Sequence, residues 1–334
     1  MIEACNITFM DSDWSSAARS DACMRAYASF EHVVNFAIPR GSLIRDKQNC
    51  RSQYCRNAHG DMVRDDFVWL GSRSCDFAPG GLVIDVQELP AFVRNAKTLR
   101  FRAQSAGCYR LAIVDDRECR HTLYARTSYG FSDGTLLGVL PGGSRSSSPA
   151  ACAYPMQEAF RLYGKEQSPF MGGSTGDSSS NAQMNEKLVA NGMLFCELLV
   201  SSHASPHDMS SALSRLVGLG VGLTPSGDDF IIGALAIARA HSLSGGLGEK
   251  LIDIVDGLAR NTTRVSQHYL MSAVRGRFSK SVIDVVDVVL CSDSSMDADV
   301  FETAFKALLD HGSTSGTDTL AGMVAMLLAC AGRL

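Results

Sequence analysis

Two stretches of the chain combine residue types that can do chemistry with a spacing that asks for a reason. The first is "GLTPSGDDFIIG", residues 222–233, where a threonine, a serine and two adjacent aspartates stand before an apolar run. The second is "SGTDTLAG", residues 315–322. Both read S-G-x-D-x-x-x-G, 89 residues apart, and both lead into a segment rich in Ala and Gly. One reading is structural. Ser-x-x-Asp before an apolar run matches a capping box, with Ser226 or Ser315 at the N-cap and Asp229 or Asp318 at N3. Alternatively Thr224 caps and Pro225 takes the first helical position. Capping leaves residues unexplained. Gly227 and Gly316 lower helix propensity in a first turn, and glycine there lets a ligand approach the backbone. Asp228 is surplus to the box. Thr224, Ser226, Ser313, Thr314 and Ser315 offer more hydroxyls than one cap needs. The second reading is therefore an anion site for phosphate or carboxylate at helix N-termini. In it Asp228, Asp229 and Asp318 are catalytic candidates, or hold a bridging Mg ion.

A third cluster, "RNTTRVSQHYL" (260–270), opens another helical pattern. Thr263 and Ser266 cap it or add hydroxyls to a shared site. Arg264 can contact an anion, and His268 can move a proton. Taken singly, each of these residues is better explained by capping or by solvation. "GGSTGD" (172–177) has glycine, serine and threonine but neither a preceding strand nor a lysine, so it reads as a loop rather than a phosphate cradle.

In chain order, "GLGVGLTPSGDDFIIG", "TTRVSQHYL" and "GSTSGTDTLAG" resemble the signature of a bacterial domain family long described as of unknown function. One branch of that family is implicated as a subunit of oxamate carbamoyltransferase in anaerobic allantoin breakdown, a purine catabolic route. The similarity covers roughly 184–332. In the N-terminal half it rests only on "EHVVNFAIPRGSL" and "GGLVIDV". Two departures stand out: the family usually has proline where Val221 stands, and often histidine near Ser313, with His311 two residues away here. The resemblance implies reversible carbamoyl transfer between phosphate and the amide nitrogen of oxamate, through oxalurate. It also implies other carbamoyltransferase subunits as partners. Carbamoyl phosphate and oxamate are small anions suited to hydroxyls and helix N-termini, with Arg264 a partner for the oxamate carboxylate. No dedicated nucleophile stands out, which favours direct transfer. Two other readings use the same residues. "GDD" and "GTDTLAG" resemble the aspartates of ADP-ribosylglycohydrolases, in which Asp228, Asp229 and Asp318 would hold magnesium. The third is a non-catalytic subunit that binds a metabolite.

The elements that must position these residues divide the chain. Residues 1–150 hold short runs with strand character: "EHVVNFAI", "DFVWLG", "GLVIDV", "TLRFRAQ", "YRLAIV" and "TLLGVL". In "TLRFRAQ" apolar Leu99 and Phe101 alternate with Arg100 and Arg102. No helical period separates these runs, so this half reads as a mostly antiparallel β barrel or sandwich. "PGGSRSSSPA" (141–150) and "GGSTGDSSSNAQ" (172–183) are Gly/Ser-rich, and 151–183 reads as a linker region. From 184 to 334 about eight helical patterns follow one another with short turns, a compact all-α domain. The fold class expected is α+β.

Composition excludes some classes. Hydrophobic residues are 46% and charged residues 20%, ordinary for a globular chain. A formal charge of −4 without a long basic run gives no reason to expect nucleic acid. The start lacks the basic and apolar regions of a secretory leader, and "LAGMVAMLLACAG" is too short to span a bilayer. Eleven cysteines without paired spacing fit reduced thiols and a cytoplasmic location.

Overall fold

A computed structural model describes residues 2–20, 22–38, 66–133, 148–171, 179–243, 245–247, 249–290 and 298–333. The chain forms two compact units, Met1–Leu136 and Leu137–Leu334.

The first unit is a closed eight-stranded barrel. Its strands are β1 (Ile2–Met10), β2 (Cys23–Ser29), β3 (Val33–Ile38), β4 (Asp66–Gly71), β5 (Gly81–Ile84), β6 (Ala96–Ser105), β7 (Cys108–Asp115) and β8 (Arg120–Asp133). They close in the order β1-β5-β4-β3-β2-β6-β7-β8. Neighbours are antiparallel except β4 with β5 and β1 with β8, which run parallel. Alternation along each strand fills the interior: Ile7, Phe36, Leu70, Leu99, Phe101, Leu111 and Leu123 are buried in one cluster. The helix α1 (Ser12–Ser20) adds Trp14, whose indole N–H donates to the carbonyls of Trp69 and Gly80 at 3.1 and 3.0 Å. Trp14 meets Phe101 edge to face at 5.2 Å. A short helix, α2 (Ala91–Arg94), precedes β6.

The barrel expected from the sequence is present, and five of the six predicted runs overlap strands. "TLLGVL" lies outside the described residues. Strands β1, β2 and β8 and the helix α1 were not foreseen. In β8 the inward residues Leu123 and Ala125 alternate with polar ones, so its apolar signal is faint. Barrel closure supplies its pairing on both sides.

The second unit is helical. Its α-helices among the described residues are α3 (Pro149–Tyr163), α4 (Ser179–Val200), α5 (Pro206–Ser214), α6 (Ser226–Ala240), α7 (Lys250–Leu258), α8 (Arg264–Ala273), α9 (Lys280–Leu290), α10 (Ala298–Leu309) and α11 (Ser315–Cys330). Pro169–Met171 and Ala259–Asn261 are 3-10 turns. All eight predicted helices form. Helix α3 and the turn at 169–171 occupy part of the stretch read as a linker. Ser148, which accepts from the Ala151 amide, and Pro149 at the first helical position start α3. None of the helices is long and apolar enough to cross a membrane, among the described residues.

Helices α6 and α11 form the centre of this unit. Thirteen of the fifteen residues of α6 and thirteen of the sixteen of α11 are buried, so these two helices are surrounded on all sides. They touch backbone to backbone. A Cβ on Gly233 would lie 1.9 Å from the Thr319 carbonyl oxygen, and one on Gly322 would lie 2.0 Å from the Phe230 carbonyl oxygen. The contacts are reciprocal: Phe230 and Thr319 hold equivalent places in the two motifs, as do Gly233 and Gly322. The sequence echo is a local pseudo-twofold crossing of two helices.

Candidate functional site

The crossing brings the two motif N-termini together. Helix α6 has Pro225 at its N-cap and α11 has Thr314, and neither receives a side-chain cap. The capping box expected from Ser-x-x-Asp does not form. Ser226 and Ser315 are already the first helical residues, so they are not the caps that Asp229 and Asp318 would pair with in a box. Each aspartate takes one hydroxyl from the other helix and one from the residues just before its own. Asp229 bonds with Ser315 and Thr224, and Asp318 bonds with Ser226 and Thr314. Thr224, expected as a possible cap, joins Ser315 hydroxyl to hydroxyl at 2.8 Å. Each aspartate thus joins the start of its own helix to the first serine of the other.

Asp228 does something different. Its Oδ1 accepts from the Gly218 amide at 2.8 Å, and its Oδ2 accepts from the hydroxyls of Ser266, at 2.6 Å, and Thr262. It ties the start of α6 to the start of α8 and to the loop 218–225. That loop turns through Gly218, Gly220 and Gly222, all at positive φ, where a side chain would be strained. The Thr263 hydroxyl caps α8 by accepting from the Ser266 amide at 3.1 Å, and donates to the Leu223 carbonyl. So one glycine-rich loop links the N-termini of α6, α8 and α11.

A second strand of contacts reaches α11 from the segment after α3. Ser168 Oγ donates to Asp318 Oδ1 at 2.5 Å. The Lys165 amide donates to Thr317 Oγ1 at 3.1 Å, and its ammonium to the Gly312 carbonyl at 2.8 Å. Gly218, Thr262, Lys165, Ser168 and Thr317 were missed in the sequence. Thr262 stood beside a residue already chosen. Ser168 lies 150 residues from Asp318 and carries no local signal.

Burial sorts the candidates into two layers. Ser226, Asp228, Asp229, Ser266 and Asp318 are buried, none more than 6% exposed. Thr224, Thr263, Thr314, Ser315 and His268 are half-buried, while Arg264 and Ser313 are exposed. Arg264 and His268 lie one turn apart on α8 and about 200° from the face that carries Ser266. They are therefore not part of the hydrogen-bond cluster around Asp228.

The glycines act differently from expectation. A Cβ on Gly227 would lie 2.1 Å from the Leu216 carbonyl oxygen, and one on Gly316 2.0 Å from that of Leu308. Their amides donate to the carbonyls of Leu219 and His311 at 2.9 and 3.2 Å. These glycines admit the chain's own backbone, and their N–H groups are engaged.

Burial pushes all three carboxyls above the ordinary range. Asp229 is shifted furthest: burial comes first, and the neighbouring Asp318 charge second. For Asp318 and Asp228 burial also dominates, against hydroxyl bonds that pull the other way. One oxygen of Asp229 and one of Asp318, each Oδ2, is buried without a hydrogen-bond partner. Two coupled carboxyls with an orphan oxygen each favour holding a proton. Asp228 spends its oxygens on Gly218, Thr262 and Ser266, and no group of three or more His, Cys, Asp or Glu is placed to hold a metal among the described residues.

Residues 216–327 match the model of a family described as oxamate carbamoyltransferase subunit AllH. The matched segment begins before the glycine-rich loop and ends within α11, so it holds all three motifs and the crossing. The resemblance read from the sequence is borne out over this segment. No solved structure matches the chain.

Proposed function

We propose that this chain is a subunit of an oxamate carbamoyltransferase and holds small anionic substrates over the joined N-termini of α6, α8 and α11. The observation that carries the reading is the family match across the segment that builds this junction. The chemistry of the junction agrees with it. A hydroxyl that donates inward to a carboxylate presents only lone pairs outward. Burial holds Asp229 and Asp318 toward their neutral forms. A neutral carboxyl can donate its own proton to a hydroxyl, and that hydroxyl is then free to donate to an anion. The rim hydroxyls of Thr224, Thr314 and Ser315 so become donors toward a phosphate or carboxylate, aided by the positive ends of three helices. Exposed Arg264 and Ser313 stand next in sequence to this rim, and Arg264 suits the carboxylate of oxamate.

Transfer needs the oxamate nitrogen to bond the carbamoyl carbon as the carbon–oxygen bond to phosphate breaks. The nitrogen's proton leaves with the phosphate. Two small anions held side by side supply most of what such a direct step requires. The other subunits complete the enzyme.

Thermal unfolding of the full chain with carbamoyl phosphate, phosphate or oxamate tests the reading, alone and with the partner subunits. Binding to the folded state at a hundredfold excess over Kd stabilises by about 2.7 kcal/mol. A rise with these anions beyond that with chloride of equal ionic strength is expected. No rise in either setting, and no carbamoyl transfer by the complex, removes it.

A further inference from the structure

Lys165 follows α3 in a turn that is clipped to the start of α11 at two points. The Lys165 amide donates to Thr317 Oγ1 at 3.1 Å, and the Ser168 hydroxyl donates to Asp318 Oδ1 at 2.5 Å. Between the clips the Ser168 amide donates to the Lys165 carbonyl at 2.9 Å and closes the turn. Gly164, just before it, is tightly packed: a Cβ there would lie 2.6 Å from both the Phe160 carbonyl oxygen and Met171 Sδ. The backbone that presents the lysine is therefore fixed against α11 before a ligand arrives, which lowers the ordering cost of binding.

The side chain reaches the segment that opens α11. Its ammonium donates to the Gly312 carbonyl at 2.8 Å. The same glycine touches the rim of the junction, where a Cβ on it would lie 3.2 Å from Ser315 Oγ. Ser315 Oγ in turn meets Thr224 Oγ1 at 2.8 Å. The ammonium and the rim hydroxyls thus gather around one glycine.

This placement works against stability. Lys97, Lys280 and Lys306 each face a carboxylate. Lys165 is half-buried, donates to a neutral carbonyl, and has no acidic partner among the described residues. It also stands at the positive end of α11, where a cation is disfavoured. Asp318 offsets little of this, because burial holds its carboxyl toward the neutral form. An anion seated over the start of α11 would reverse both effects. One N–H of the ammonium is used by Gly312, and two remain as donors.

We propose that Lys165 is a substrate-binding residue of the junction and grips the phosphoryl group of carbamoyl phosphate, or phosphate in the reverse direction; this rests on the reading of the junction as an anion site. A lysine presents a compact point charge with rotatable donors, which suits a phosphoryl dianion, whereas the planar fork of arginine suits the paired oxygens of a carboxylate. Lys165 stands on the α11 side and Arg264 opens α8. The two cations set a direction across the junction, with phosphate toward α11 and the oxamate carboxylate toward α8.

The test is calorimetric titration of the full chain with inorganic phosphate and with oxamate, alone and with the partner subunits, at an ionic strength held constant with chloride. Lys165→Gln keeps a donor for the Gly312 carbonyl and removes the charge, so its unliganded thermal midpoint should match the parent's. It should bind phosphate about tenfold or more weakly and oxamate within about twofold of the parent. Lys165→Arg keeps the charge and should bind phosphate within about threefold of the parent. Lys250→Gln removes an equal charge at the end of α7 away from α8, and should bind both anions as the parent does. Equal phosphate binding by Lys165→Gln and the parent overturns the role of Lys165 and leaves the junction standing as an anion site. Equal loss of phosphate and oxamate in Lys165→Gln, or a loss in Lys165→Arg as large as in Lys165→Gln, also overturns it. A parent that binds no phosphate in either setting removes the junction reading and the role of the lysine together.

Discussion

The two S-G-x-D motifs are alike where they meet each other and unlike where they meet the rest of the unit. Ser226 and Ser315, Asp229 and Asp318, Gly233 and Gly322 occupy matched places and make matched contacts across the crossing. The position between glycine and aspartate breaks the match. In the first motif it is Asp228, which binds Gly218, Thr262 and Ser266 and so recruits α8. In the second it is Thr317, which accepts from the Lys165 amide and so recruits the segment after α3. The repeated letters build the crossing. The letter that differs chooses the neighbour.

Breaking the shared part should cost most, and equally in both copies. Gly233→Ala and Gly322→Ala each force a methyl group into a backbone carbonyl, at 1.9 and 2.0 Å. Each should destabilise the helical unit by about 3 kcal/mol or more. Gly257→Ala in α7 has open space around its Cβ and should stabilise slightly, by about 0.5–1 kcal/mol. Denaturant titration followed by far-UV circular dichroism measures all three. Unequal costs for the two crossing glycines would break the symmetry.

The differing position should give unequal costs. Asp228→Ala orphans three donors at once and should lose about 3 kcal/mol. Thr317→Ala removes one acceptor and should lose about 1 kcal/mol. The same titration compares them, and similar costs would contradict the division of labour. An isolated N3 cap gives no warning of the Asp228 effect, because the partners lie on another helix.

The paired carboxyls predict a pH dependence of defined sign. Asp229 has a raised value in the folded state, so the folded protein holds its proton more tightly than the unfolded chain does. Its contribution is fully present below the ordinary carboxylate value, near pH 4, and is lost as pH rises toward the folded value. Asp229→Asn cannot titrate. Its stability relative to the parent should therefore improve as pH rises above about 4, by at most about 1.4 kcal/mol per unit. A difference that stays flat with pH from 4 to 8 would remove the raised value.

Much of this arrangement is legible in the amino-acid sequence. The eight helices of 184–334 announce themselves by period, and the three motifs by composition. The barrel is legible from strands such as β6, whose alternation is sharp, and less from β8, where the buried residues among those described are Leu123 and Ala125. The repeat itself is visible, but its local reading misleads. Sequence spacing presents Ser226 and Asp229 as one capping pair, because three residues apart is the distance a box requires. What decides otherwise is where the helix starts, at Ser226 rather than after it, and which helix crosses it. Ser168 is invisible for the same reason: its partner, Asp318, is brought to it only by the fold.

That distinction sets the most direct test, a pair of double-mutant cycles on folding stability. The first combines Ser226→Ala with Asp318→Asn, across the crossing. The second combines Ser226→Ala with Asp229→Asn, inside one motif. Contacts across the crossing predict a coupling of about 1 kcal/mol for Ser226 with Asp318, and little for Ser226 with Asp229. The reverse order, strong coupling within the motif and none across it, would mean that each motif caps its own helix and that the two do not share a site.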